Sequence, residues 1–163
     1  AGGQPANGGG GASRQGGGPV ARGEVGGRAQ AFWPEHGVQQ TGGAELQPLL
    51  NQKALEAVFH KGENPAIDSY SAFVDNGRRQ KTALDAWLRH HEVIELIVLG
   101  LATDYCVKFT VLDALQQGYA VSVITDGRRG VNIQPQDSAQ AFMDMAAEGA
   151  TLYTLEDWLE TQA

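Results

Sequence analysis

Glycine divides this chain, because 12 of its 22 glycines fall within residues 1–30. A segment so rich in glycine loses much chain entropy on ordering and needs apolar contacts to offset the loss. The segment has Val20 and Val25 as its only large aliphatic residues, and aromatic residues are absent from it. Composition therefore reads residues 1–31 as a disordered head and assigns the core to residues 32–163. With 163 residues in all, the chain suits one domain of ordinary size.

Charge follows the same division. Arg14, Arg22 and Arg28 against Glu24 make the head +2, so the overall −7 leaves −9 on the rest of the chain. An acidic body argues against nucleic acid or an anionic membrane surface as a partner. No apolar run approaches the roughly 18 residues of a membrane span, and no charged, apolar and small-residue series marks a signal peptide, so the expected compartment is the cytoplasm. The first residue is Ala1 rather than Met, which reads as a fragment or a processed product. A single cysteine, Cys106, excludes an internal disulfide and any site built from several thiolates.

Beyond about residue 46, short β-rich runs alternate with helical periodicity, the pattern of an α/β layered fold. Strands are predicted over 57–60, 95–99, 120–125 and 151–153. Leu84, Trp87, Leu88 and His91 follow the i, i+3, i+4, i+7 spacing of a helix face. Val107, Val111, Ala114 and Leu115 form a second such face, and Ala139, Phe142, Met143 and Ala146 a third. Gly118 and Gly149 stand where helices end, Pro135 where the third helix opens, and Thr154 with Asp157 forms a capping pair for a last short helix. Leu96-Ile97-Val98-Leu99 shows no alternation, as expected of a strand buried on both faces of a parallel sheet.

Ligands of open α/β sheets bind beyond the carboxyl ends of the strands, which directs attention to the residues just after each one. The run Leu96 to Leu99 leads into Gly100-Leu101-Ala102-Thr103-Asp104-Tyr105-Cys106, with Thr103 or Asp104 placed to cap the next helix. Cys106 then lies in the first helical turn, where unpaired N–H groups and the helix dipole favour a thiolate and offer donors to an oxyanion. Packing is the commonest role of a lone cysteine, and it is this position that points to chemistry. Lys61, at the end of Phe59-His60-Lys61-Gly62, brings an ammonium to a strand end, either as a solvated group or as a partner for a thiolate or carboxylate. Trp33-Pro34-Glu35-His36 pairs an aromatic face with an imidazole, and Tyr70 either lines a pocket or covers the core. His90 and His91 suit the negative end of a helix, and Gly127-Arg128-Arg129-Gly130 reads as a solvated turn or an anion site. Asp113 lies about two turns beyond Cys106, too far to act as its base by local geometry.

Taken together, Gly100 through Val107, Phe59-His60-Lys61-Gly62, Tyr70-Ser71-Ala72-Phe73 and Phe32-Trp33-Pro34-Glu35-His36 resemble bacterial nicotinamidase (pyrazinamidase), of the isochorismatase-like cysteine hydrolases. The likeness runs without a gap from about Phe32 to Trp158. It implies a three-layer α/β fold with a mainly parallel sheet, here lacking the first strands, so that the strand at 57–60 is left without its neighbours. It also implies hydrolysis of nicotinamide, and of pyrazinamide, through a cysteine thioester. By the resemblance Cys106 is the nucleophile and Lys61 the triad lysine. The backbone N–H groups of Ala102 and Cys106 form the oxyanion hole, with a cis bond between Leu101 and Ala102. Trp33 stacks on the pyridine ring, and Tyr70, Ala102 and Tyr105 lie against the substrate.

The family's cofactor is one divalent metal, zinc, iron or manganese, held by an Asp-x-His pair, a further His and the His of Trp-Pro-x-His. Of that set His36 is present, while an ungapped count places Gly2, Gln4 and Gly8 at the other three positions. The triad's Asp, from the first strand, has no counterpart, so the resemblance offers a second reading of residues 1–31, as a corrupted version of the homologous segment. These departures lead to the expectation that activity of this chain is impaired. The alternatives are an inactive fragment that binds a pyridine-type ligand or serves as an interaction module, and a different amidase of the superfamily. The expected partner is the small molecule nicotinamide, with no nucleic acid or membrane and with a homo-oligomer left open.

Overall fold

The alternation of apolar strands and amphipathic helices in the second half of the chain produces a parallel sheet with helices joining its strands. The computed structural model describes residues 21–25, 28–33, 36, 38, 40–64 and 67–163. Two units are distinguished, Ala1–Thr82 and Ala83–Ala163.

In the first unit, β1 (Ala21–Val25) and β2 (Arg28–Phe32) pair as an antiparallel hairpin, with Ala21 opposite Phe32 and Val25 opposite Arg28. Part of the head that composition reads as disordered thus makes a backbone ladder. The expected strand at 57–60 is not formed. A strand exists only through a ladder with a neighbour, and no described segment pairs with these residues. Among the described residues of this unit, burial falls on the irregular segment 67–75, where Ile67, Asp68, Ser69, Tyr70, Phe73, Val74 and Asp75 are all withdrawn from solvent.

The second unit opens with α1 (Leu84–His90), followed by β3 (Glu95–Leu101), α2 (Lys108–Gln116), β4 (Ala120–Arg129), α3 (Asp137–Ala147), β5 (Thr151–Tyr153) and α4 (Leu155–Thr161). The sheet order is β3-β4-β5, with both pairings parallel. The strand buried on both faces is β4, where Val121, Ser122, Val123 and Ile124 are consecutive buried residues. For β3 the expectation of burial on both faces does not hold, since Leu99 is 58% and Leu101 69% exposed. Among the described residues β3 has a ladder partner on one side only, so it is an edge strand with one face uncovered.

The helix faces at Leu84, Trp87 and Leu88 and at Val107, Val111, Ala114 and Leu115 are turned inward as predicted, but His91 is exposed and stacks on Trp87 at 4.1 Å between ring centroids. The face of α3 is displaced. Ser138, Ala141, Phe142 and Met145 are buried, whereas Ala139 and Ala146 are exposed and Met143 is 64% exposed. Both sets obey the same helical spacing through Phe142, and the packed neighbours select between them.

Helix ends follow the sequence signals closely. Gly118, at φ +91, and Gly149, at φ +109, follow α2 and α3. The N–H groups of Tyr119 and Ala150 return to the carbonyls of Ala114 and Met145, closing each helix with paired groups. Glu92 performs the same closure for α1 at φ +54 without being glycine. Thr154 accepts the Asp157 N–H at 3.1 Å and caps α4. Pro135 lies in the turn ahead of α3, whose N-cap is Gln136, because the Asp137 carboxylate takes the Gln134 N–H and draws the helix start two residues later.

Two substitutions test these statements by chemical denaturation. A Cβ at Gly118 meets no atom within 4 Å, so Gly118→Ala should cost about 1 kcal/mol from backbone conformation alone. Met145 is fully buried, and Met145→Ala should cost about 2 to 5 kcal/mol through lost packing.

Candidate active site

The second unit places Cys106 where β3 gives way to helix. The expected cis bond between Leu101 and Ala102 is present at the strand end. From Ala102 the chain enters a wide π turn, Thr103–Val107, which leads directly into α2. The Ala102 carbonyl accepts the Tyr105 N–H at 3.1 Å and the Val107 N–H at 3.0 Å, and the second of these bonds closes the turn. Cys106 lies in this turn, half-buried and in no disulfide, between the half-buried Tyr105 and the buried Val107. Ala102, Tyr105 and Cys106 are thus gathered on one turn, the position at which backbone N–H groups and helix dipole converge.

The capping expectation for Thr103 and Asp104 is corrected. The N-cap is Ala102, and no side chain caps the turn. The Thr103 hydroxyl is fully buried and has no hydrogen-bond partner among the described residues. Asp104 turns away from its own helix, and its Oδ1 and Oδ2 accept the backbone N–H groups of Val131 and Asn132 at 2.8 and 2.7 Å. Two backbone donors on one carboxylate outweigh a single capping bond. Nor is the Arg128-Arg129 run a solvated turn, since Gly127, Arg128 and Arg129 continue β4. Arg128 donates to the Thr125 carbonyl at 2.6 Å and its guanidinium lies 4.5 Å from the Phe142 ring centroid.

The first unit holds the other predicted residues around the segment 67–76. The Trp33 indole N–H donates to the Tyr70 hydroxyl at 2.9 Å. Tyr70 is itself fixed, its backbone N–H donating to Asn76 Oδ1 at 3.1 Å while the Asn76 N–H returns to the Asp68 carbonyl at 2.8 Å. Lys61, half-buried rather than a solvated strand end, donates to the Ser69 carbonyl at 2.7 Å. His36 is exposed. Asp68 is a residue the sequence reading passed over, since nothing in its pattern distinguishes it from an ordinary loop acid. It is 2% exposed. Burial pushes its carboxyl up to about 6, against the opposing pull of His36 and then Lys61. Among the described residues no group of three or more His, Cys, Asp or Glu side chains could hold a metal ion. Residues 2, 4 and 8 lie outside the described residues. No helix among the described residues is long and apolar enough to cross a membrane.

Comparison with known proteins places these motifs. The isochorismatase domain family matches residues 12–157. The chain is 72% identical to nicotinamidase of Escherichia coli over 158 residues, which cover 97% of this chain and 74% of that protein. Its fold is similar to that of the Acinetobacter baumanii nicotinamidase and pyrazinamidase structure, with a TM-score of 0.81 and 33% identity over 90% of this chain and 69% of that one. It is also similar to pyrazinamidase of Pyrococcus horikoshii in complex with zinc, with a TM-score of 0.65 and 34% identity over 77% of this chain and 64% of that one. The expectation of impaired activity is not borne out, because the likeness to a nicotinamidase extends over nearly the whole chain. The chain belongs to the isochorismatase family, in its nicotinamidase branch.

Proposed function

We propose that this chain hydrolyses nicotinamide to nicotinate and ammonia, and pyrazinamide in the same way. The observation that carries the reading is the 72% identity to a nicotinamidase over 97% of the chain. Cys106, the single cysteine, is the nucleophile. Its thiolate attacks the amide carbon, and the oxyanion that forms is stabilised by the backbone N–H groups of Ala102 and Cys106. The C–N bond then breaks as the nitrogen takes the proton that the Cys106 thiol gave up and leaves as ammonia. Water attacks the resulting thioester, releasing nicotinate and restoring the thiol. Lys61 serves as the triad lysine, the role the family likeness gives it. Trp33 stacks on the pyridine ring, steadied by its bond to Tyr70, and Tyr105 completes the ring contacts. The reading keeps the chain in the cytoplasm and in the salvage of pyridine nucleotides.

A divalent metal does not fit the residues present. His36 is the single strong donor of the expected set, Gly2 and Gly8 carry no ligating side chain, and the Gln4 amide is a poor ligand for zinc or iron. In this reading pyridine recognition rests on Trp33 and the tyrosines.

Ammonia release from nicotinamide by the whole chain tests the reading. Cys106→Ala should lower turnover by at least about 10³-fold. Undiminished turnover in that variant would remove Cys106 from the reaction. Tyr70→Phe, which deletes the acceptor of the indole N–H, should raise KM for nicotinamide about three- to tenfold with a smaller change in kcat.

A further inference from the structure

We propose that Asp104 is a positioning residue, which fastens the turn carrying Cys106 to the loop between β4 and α3. The proposal rests on the reading of Cys106 as nucleophile. Both carboxylate oxygens of Asp104 are engaged, each by a backbone N–H 27 or 28 residues further along the chain. Such charge-assisted bonds are about twice as strong as neutral ones, and two from one rigid carboxylate fix orientation as well as distance.

The loop they grip is itself a fixed body. Asn132 adopts φ +51, and its Oδ1 accepts the Ser138 N–H at 2.9 Å, binding the loop to the first turn of α3. Gly130 is closely packed, since a Cβ there would displace Ser138 Oγ and crowd the Asn132 amide. A second tether, from Lys108 at the start of α2 to Asp144 at 2.6 Å, secures the far side of the same turn to α3. Between them Asp104 and Lys108 bracket Cys106, two residues away on either side.

The π turn needs such support. It widens the helix by one residue, and its own closure depends on the Val107 N–H reaching the Ala102 carbonyl. Position matters most at a nucleophile, where a displacement of about 1 Å can cost about 10²-fold in rate. The Asp104 oxygens are committed to the backbone of the 131–132 loop, so the loss of that carboxylate should appear in kcat rather than in affinity.

The experiment compares the parent chain with Asp104→Ala, Asp104→Asn and the control Gly118→Ala, which destabilises the fold without touching the turn. Asp104→Ala should lower kcat for nicotinamide by about 10- to 100-fold with KM within about twofold of the parent. Asp104→Asn keeps one acceptor oxygen but sets an NH₂ against the second backbone N–H, and should fall between the two. Gly118→Ala should keep the parent kcat. A second readout does not depend on turnover. Amide hydrogen exchange of the folded proteins should accelerate about tenfold or more in Asp104→Ala over both 103–108 and 130–132, and over neither in Gly118→Ala. An unchanged kcat, a loss carried wholly by KM, or unchanged exchange over 103–108 would each overturn the proposal. If the parent chain releases no ammonia, the nicotinamidase reading fails, and the exchange comparison decides the role of Asp104 by itself.

Discussion

The second unit depends on the parallel ladder between β3 and β4. It runs in register from Glu95 opposite Ala120 to Val98 opposite Val123, then resumes with Gly100 opposite Arg128 and Leu101 opposite Arg129. The irregularity lets β4 advance several residues further than β3 between the two paired stretches. Gly100, at φ +125, takes the resulting turn of the backbone, and a Cβ there would be strained whatever space surrounds it. The ladder thereby brings the end of β4, and the loop beyond it, beside the turn that follows β3. The Asp104 bonds to Val131 and Asn132 are a consequence of that proximity.

Around this ladder the helices supply burial. Val111 and Ala114 of α2 and Met145 of α3 are fully buried, as is Val123 of the central strand. The turn that carries Cys106 stands at the margin of this core, with Thr103 and Val107 inside and Cys106 half-buried between them. The buried segment 67–75 of the first unit solves a comparable problem without regular secondary structure. Several of the polar groups in and beside that segment pair locally. Asp75 accepts the N–H groups of Arg79 and Gln80, Ser71 that of Phe73, and Asn76 that of Tyr70. An ordered aromatic pair, Trp33 and Tyr70, is the result.

Signals carried within a few residues of chain were the legible ones. Gly118, Gly149 and Thr154 end or begin helices for reasons of local backbone conformation and local hydrogen bonding, and they do so where expected. Cys106 in the first turn after a strand follows from the succession of apolar run, glycine and helical spacing. Properties that depend on neighbours distant in sequence were not legible in this way. Burial of β3 on both faces was inferred from its apolar run, yet in the described residues the ladder partners make β4 the inner strand. The face of α3 was placed on Met143, but Met145 faces the core, because helical spacing through Phe142 permits either phase.

The sequence by itself determined the alternation of strand and helix, the points at which helices close, and the family motifs around Trp33, Lys61, Tyr70 and Cys106. These are written in local spacing and residue type, which need no knowledge of what packs against them. Only the tertiary structure decided that Asp104 leaves its helix for a loop 27 residues away, that Asp68 is buried and its carboxyl raised, and that Lys61 is drawn to the Ser69 carbonyl. Each of those outcomes depends on which groups are close in space, and a side chain's best hydrogen-bond partner or its loss of solvent is set by the assembled neighbours rather than by its own stretch of chain.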